Sequence, residues 1–257
     1  MTLSIRQSEI LELARAEGRV GVDALAQRFD VTLQTIRRDL GELAEAGLVE
    51  RVHGGAVPRM GMVNLGYEAR RRLNADAKAA IGAACAAMIP DNSSLILNLG
   101  TTTEAVAQAL IHHANITVIT NNMNVANILA ANPGCEIMVA GGALRRSDGG
   151  LVGDLATQFI EQFKVDYAII GSSALDLDGD LLDYDLAEVR VSRAILRQAR
   201  RSFLVSDHSK FRRSAPARIA SLSEIDAFFT DLPLPAPLAG LCRDWGTDVH
   251  LCGETAG

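Results

Sequence analysis

The sequence predicts an α/β protein in two parts: an N-terminal winged helix-turn-helix over 1–59 and a mainly parallel α/β domain over 75–257, joined by a linker over 60–74. Three observations lead there. Two short amphipathic helices separated by a tight turn fill residues 22–43, and a segment of alternating hydropathy with paired glycines follows at 48–57. From Ala75 onward, helical periodicities alternate with short apolar runs, as β-α units do. At 257 residues the chain is long enough for one small and one larger domain, each with its own core.

Ser4-Ile5-Arg6-Gln7 reads as a capping box opening a helix to about Glu17, with Ile10, Leu13 and Ala14 on its buried side and Gly18 as its stop. Val22, Leu25 and Phe29 share one face of the next helix, and Asp30-Val31 leaves room only for a turn. Thr32 then caps a helix in which Ile36, Leu40 and Leu43 recur at i, i+4 and i+7. Gln34, Arg38 and Gly41 lie opposite that stripe, with Thr35 and Arg37 on its flanks. Such a face has arginine and glutamine for base edges, a hydroxyl for phosphate and a glycine for close approach. Alone it would equally serve as an ordinary solvated helix face; its neighbours favour the first reading. Gly47 closes the helix, and Leu48 to Val57 alternates and turns on Gly54-Gly55 as a β-wing does. Double-stranded DNA is therefore the expected partner, contacted through Thr32, Gln34, Thr35, Arg37 and Arg38 on the helix and Arg51 and His53 on the wing, with Arg59 just beyond.

Net charge is −6, which argues against a protein that coats nucleic acid indiscriminately. The first domain is not basic overall either, so its cations must be concentrated on one face and two copies are expected to act together. No apolar run approaches the roughly 18 residues of a membrane span, and nothing at the start reads as a signal peptide, so a cytoplasmic protein is expected. Cys85, Cys135, Cys242 and Cys252 have no C-x-x-C spacing; they read as buried reduced thiols, and neither a metal nor a cofactor is called for.

Residues 58–66 lack periodicity and suit a linker. Arg70-Arg71-Arg72 reads either as the solvated start of a helix or as an extra phosphate contact. The larger domain then alternates: helix 77–88, strand 94–99, helix 104–111, strand 116–120, helix 124–131, strand 136–140, helix 154–163, strand 167–171, helix 187–200 and strand 202–206. Parallel sheets covered by helices bind ligands at the carboxyl ends of their strands, so the turns leaving those ends are the candidate sites.

Gly100-Thr101-Thr102-Thr103 offers free backbone N–H groups, hydroxyls and the positive end of a helix dipole, which suits phosphate; plain capping is the structural alternative. Asn121-Asn122 carries amides for ligand hydroxyls, again with capping as the rival. Gly141 to Arg146 and Gly149 to Gly153 form a Gly-rich segment in which Gly142 and Arg145 are candidate ligand contacts. Asp176 to Asp185 resembles a calcium loop only superficially, since Leu181 stands where a glycine is required and Ala187 where a glutamate is. Its Asp183, with Glu188 beyond, suits hydrogen bonds to ligand hydroxyls or general-base work. Lys210, one of only three lysines, follows a strand end and suits a phosphate or carboxylate, against a surface ion pair with Asp207.

Thr35-Ile36-Arg37-Arg38-Asp39-Leu40, with Leu43, Gly47-Leu48 and His53-Gly54-Gly55-Ala56, resembles the DeoR family of bacterial transcriptional repressors. That resemblance implies a C-terminal sugar-phosphate sensor related to ribose-phosphate isomerases, a homodimer or homotetramer, and a repressor rather than an enzyme. The segments Thr101 to Ala107, Thr120 to Asn127, Gly141-Gly142, Asp148 to Gly150, Asp183 to Asp185 with Glu188 to Arg190, and Asp207 to Phe211 match such a sensor. They imply glycerol 3-phosphate as the effector that releases the operator. Thr103 departs from the family pattern, which has proline after the two threonines. An isomerase-like enzyme is the weaker reading, because no sharply defined acid–base pair emerges.

Overall fold

The computed structural model describes residues 4–17, 19–52, 54–58 and 66–253. Its contacts group the chain into two units, Met1–Val63 and Asn64–Gly257. In the first, α1 (Ile5–Glu17) opens on the expected capping box: Gln7 N donates to Ser4 Oγ at 3.1 Å and Ser4 N to Gln7 Oε1 at 3.0 Å. β1 (Val20–Gly21), α2 (Val22–Phe29), α3 (Leu33–Glu45), β2 (Val49–Val52) and β3 (Gly55–Pro58) follow. Thr32 caps α3 by accepting from Thr35 N at 3.2 Å, and Ile36, Leu40 and Leu43 are fully buried with Ile10, Leu25 and Val49. At the far end Leu48 N donates to Leu43 O and Gly47 N to Ala44 O, both at 2.9 Å, a Schellman motif that needs the positive φ of Gly47 (71°). β2 and β3 pair antiparallel with Val52 opposite Gly55. β1 joins the free edge of β3, an addition that a two-residue strand gives no periodicity to announce.

The second unit contains α4 (Tyr67–Arg72), α5 (Ala75–Ala87), β4 (Ser94–Leu97), α6 (Thr101–Ala109), β5 (Ile116–Thr120), α7 (Met123–Leu129) and β6 (Cys135–Val139). It continues with β7 (Ala143–Arg145), β8 (Gly150–Val152), α8 (Asp154–Ile160), β9 (Val165–Ile170), β10 (Ala174–Leu175), β11 (Asp180–Asp183), α9 (Leu186–Arg197) and β12 (Ala199–Val205). β13 (Ala217–Ser221), β14 (Ala227–Thr230), α10 (Ala236–Trp245) and β15 (Asp248–Leu251) complete it. Seven strands form an all-parallel sheet in the order β15-β14-β12-β9-β4-β5-β6. Successive side chains point to opposite faces. Leu95, Leu97, Ile169, Phe203 and Phe229 pack with Ile81, Val106 and Val125 of α5–α7, while Ile96, Ile170, Leu204 and Phe228 pack with Ile160, Ile195 and Leu238 of α8–α10. Helices thus cover both faces, and all the turns at the strands' carboxyl ends gather on one edge.

Two expectations are corrected. Residues 67–72, taken as linker, form α4. Cys135 and Cys252 are only half-buried, whereas Cys85 and Cys242 are buried; all four are free thiols. The acidic stretch 176–185 supplies the turn from β10 into β11, with Gly179 N donating to Asp176 O and Asp176 N to Asp180 O, each 3.0 Å, and ends on Asp185, the N-cap of α9. Among the described residues no helix is long and apolar enough to cross a membrane.

α5 crosses α6 at Gly82, where a Cβ would stand 2.6 Å from both the carbonyl carbon and oxygen of Ala105. Alanine ordinarily improves a helix by up to ~1 kcal/mol, but here it meets rigid backbone. Gly82→Ala is expected to destabilise the second unit by about 1–3 kcal/mol, read as a lower urea midpoint.

Candidate functional site

The polar face of α3 forms a concave surface with the start of α1 and the wing, lined by Arg6, Gln34, Thr35, Arg37, Arg38 and Arg51, with Thr32 at its rim. Gln34, Arg37 and Arg51 are exposed, and the Arg38 side chain is 81% exposed while its Nε donates to Glu42 Oε1 at 2.9 Å. Asp39 and Glu42 line the same surface but are tied up by neighbouring side chains, while Glu45 is exposed at the end of α3. Asp39 is buried and takes Arg6 Nε at 2.6 Å, and Glu42 accepts from Gln7 Nε2. This pairing, which periodicity does not reveal, neutralises Asp39 and Glu42 within the surface and leaves Arg37 and Arg51 without an ion pair among the described residues. His53 and Arg59 lie outside the described residues.

In the second unit β4, β9 and β12 end side by side above a cavity. Gly100, Thr101 and Thr102 line it from the turn after β4, Gly171 to Ser173 from the turn after β9, and Lys210 from the turn after β12. Gly100 is the N-cap of α6 with φ 143°, so the open first turn of that helix adjoins the cavity. Lys210 is nine-tenths buried, and among the described residues its ammonium makes no hydrogen bond. Burial, with Arg213, Arg70 and Lys78 nearby and Asp207 opposing, pushes its pKa down to about 7. Arg70 reaches in from α4: its Nη2 donates to Asp148 Oδ2 at 3.3 Å, and its buried Nε has no partner among the described residues. Ser172 Oγ is buried and equally unpartnered. The Lys78 ammonium holds the end of α4 by donating to Arg70 O at 2.5 Å and to Leu73 O. Asp207, buried behind Lys210, accepts from Ser209 N at 3.0 Å and Asn74 Nδ2 at 2.8 Å; burial pushes its carboxyl up, but Lys210 and these donors hold it below the usual range.

Carboxyl groups line the rest. Asp183 accepts from Ser173 Oγ at 2.8 Å, Tyr184 N at 2.6 Å and Asp185 N at 3.1 Å. Glu188 is raised above the ordinary carboxyl range by burial and by Asp183, although Arg145 Nη2 donates to it at 2.6 Å. Glu104 accepts from Tyr67 Oη at 2.8 Å and from Asn124 Nδ2 at 3.0 Å, and burial together with Glu104 pushes the Tyr67 phenol up to about 12.

Of the effector contacts expected from sequence, Gly100, Thr101, Thr102, Asp183, Glu188 and Lys210 meet at this cavity. Five others do not line it. Thr103 is fully buried, its hydroxyl donating to Asn98 O at 2.8 Å or Gly100 O at 2.7 Å, because the turn points it into the protein. Asn121 is buried against Leu151 O, and Asn122 caps α7 by accepting from Asn124 N at 2.9 Å. A Cβ on Gly142 would face Val152 O at 2.7 Å, so that glycine serves the β7–β8 hairpin. Arg145 is committed to Asp148, Asp185 and Glu188 at 2.6–2.9 Å. Sequence reasoning passed over Tyr67, Glu104, Asp148, Ser172 and Ser173. Glu104 and Asp148 had a signal, being acids beside the phosphate-type turn and the Gly-rich segment; Tyr67 had none.

Residues 6–59 match the DeoR-like helix-turn-helix domain and residues 73–232 the DeoR C terminal sensor domain. The chain belongs to the DeoR family. Among DeoR-family proteins it is similar to the glycerol-3-phosphate regulon repressor of Escherichia coli (43% identity over 96% of this chain and 98% of that one). The Haemophilus influenzae protein of the same name is 41% identical over 98% of each chain, and the E. coli transcriptional repressor CsqR is 38% identical over 100% of this chain and 98% of that one. The chain is thus a DNA-binding regulator and not an enzyme. Solved structures to which the chain is similar include ribose 5 phosphate isomerase A from Neisseria gonorrhoeae (12% identity, 52% of each chain, TM-score 0.37) and eIF2B beta from Chaetomium thermophilum (17% identity, 66% of this chain and 53% of that one, TM-score 0.46).

Proposed function

We propose that the chain is a cytoplasmic repressor of glycerol and glycerol 3-phosphate metabolism genes, released from its operators by glycerol 3-phosphate. The observation that carries this reading is Lys210: a nine-tenths buried lysine with no side-chain hydrogen bond among the described residues, lining a cavity that also holds the open first turn of α6 and the buried, unpartnered Arg70 Nε. A phosphoryl dianion supplies the missing acceptors to Lys210, Arg70, Ser172 and the N–H groups of the Gly100 to Thr102 turn. The names of the relatives favour glycerol 3-phosphate among small phosphates. The DNA-binding part is 1–59, and the sensor, placed at 75–257 from sequence, extends back to include α4. In a homodimer or homotetramer, paired α3 helices read pseudo-palindromic half-sites through Thr32, Gln34, Thr35, Arg37, Arg38, Arg51 and His53. Effector coupling of about 1–3 kcal/mol against the DNA-bound arrangement is enough for strong induction.

Fluorescence anisotropy on DNA from upstream of the protein's own gene and neighbouring glycerol-metabolism genes, at fixed salt, tests this. Specific binding reversed by glycerol 3-phosphate, but not by glycerol or inorganic phosphate, is expected. Release by a different sugar phosphate alone would overturn the effector, and absence of specific binding would overturn the repressor.

The effector affinity is also expected to depend on pH. A bound dianion favours the ammonium form of Lys210, so binding takes up a proton above the depressed pKa of about 7 and affinity falls, by up to about tenfold per unit, as pH rises past it. Below about 6 the phosphoryl group gains its own proton and affinity falls again. Calorimetric titration across pH should therefore find a maximum between the two.

A further inference from the structure

The cavity has two poles of opposite charge. Lys210 stands with Arg70, Lys78 and Arg213 around Asp207. Glu188 stands with Asp183 and Asp148, faced by Arg145, and Glu104 lines the same cavity. The Arg70–Asp148 pair at 3.3 Å joins the two groups. Among the described residues neither Asp183 nor Glu104 is ion-paired: each is satisfied by neutral donors, Ser173 and backbone N–H groups for the first, Tyr67 and asparagine amides for the second. Arg145 is already shared among three acids. The buried, unbonded Lys210 marks independently where the ligand's anion goes.

Resting on the reading that this cavity takes a small phosphorylated effector, we propose that Asp183, Glu188 and Glu104 are specificity residues that require the ligand's other end to be an uncharged, hydroxyl-bearing polyol and reject phosphorylated acids. A hydroxyl donates to a carboxylate lone pair left open by the neutral donors. A ligand carboxylate in its place meets two acids with no cation of their own and a third whose arginine is divided, so it gains no donor and adds like charge. Discrimination by loss of a hydrogen bond and by charge repulsion exceeds what a change of shape achieves.

The test compares glycerol 3-phosphate with 3-phosphoglycerate, in which the terminal CH2OH is a carboxylate, for both release of operator DNA and calorimetric binding, with inorganic phosphate reporting the cationic pole alone. Wild-type protein should prefer glycerol 3-phosphate by about 100-fold or more. Glu188→Gln, Asp183→Asn and Glu104→Gln should each narrow that ratio about tenfold, mainly through tighter 3-phosphoglycerate binding. Binding of inorganic phosphate at the cationic pole with wild-type affinity reports that the second unit of each variant is folded, and any one folded variant suffices. Equal potency of the two phosphates on wild type, or a ratio unmoved by every folded variant, overturns the proposal while leaving the effector reading intact. If neither phosphate binds or releases DNA, the effector reading itself fails and the proposal with it.

Discussion

Lys210→Met is expected to occupy the operator with wild-type affinity and to ignore glycerol 3-phosphate, its affinity for the effector falling about 100- to 1,000-fold. Methionine keeps most of the buried stem and removes the charge, so packing survives. What is lost is a charge-assisted contact from a nine-tenths buried lysine; such bonds exceed neutral ones, and the phosphoryl oxygens left behind would be unpaired. The sign of the stability change is opposite. A lysine whose folded pKa lies near 7 binds fewer protons folded than unfolded over the range from there to its ordinary value, so the buried ammonium opposes folding. The effector-free variant should therefore melt higher than wild type. Saturating effector at about 100 times its dissociation constant should stabilise wild type by about 2.7 kcal/mol and the variant hardly at all. Release of the variant from DNA at the wild-type effector midpoint would remove Lys210 from the site.

The parts of this site legible in the sequence were those fixed by local geometry plus one global rule. Periodicity and capping sufficed for α3 and the wing, because Ile36, Leu40, Leu43 and Thr32 declare their roles within one or two turns. Alternating strands and helices, with ligand turns at the strands' carboxyl ends, sufficed to bring Gly100 and Lys210 together although 110 positions separate them. Orientation within a turn was not legible. Thr101, Thr102 and Thr103 are chemically alike, yet Thr101 and Thr102 line the cavity, Thr101 reaching Arg70 O at 3.5 Å, while Thr103 is turned inward onto Asn98 O or Gly100 O. Nor were pairings across distance: Arg70 finds Asp148 78 residues on, and Arg145 finds Glu188 43 residues on. Strands such as Ala227–Thr230, buried at every position, carry no period-two signal and lay beyond the last element assigned.

Replacing both Arg37 and Arg38 with alanine should do the reverse of Lys210→Met: abolish operator binding and leave effector binding untouched. Neither side chain supports the fold. Both are exposed, and the tie of Arg38 to Glu42 is an i,i+4 surface pair worth about 0.3–0.5 kcal/mol. On DNA each can make a bidentate base contact or a phosphate contact, the former worth about 1–3 kcal/mol. The double variant should therefore lose about 100- to 10,000-fold in operator affinity, and every phosphate contact removed should flatten the salt dependence by about 0.9 in log–log slope. Measuring both quantities separates the roles, since loss of base readout lowers the specific-to-non-specific ratio at constant slope, whereas loss of phosphate contacts lowers both affinities together. Arg243→Ala, which removes one exposed cation of the other unit, serves as a surface-charge control and should change neither. Calorimetry with glycerol 3-phosphate should return the wild-type affinity for the double variant, because the cavity is built within the second unit. If affinity and slope both survive, α3 is not the reading helix, and the pairing of Asp39 and Glu42 with Arg6 and Gln7 serves the fold alone.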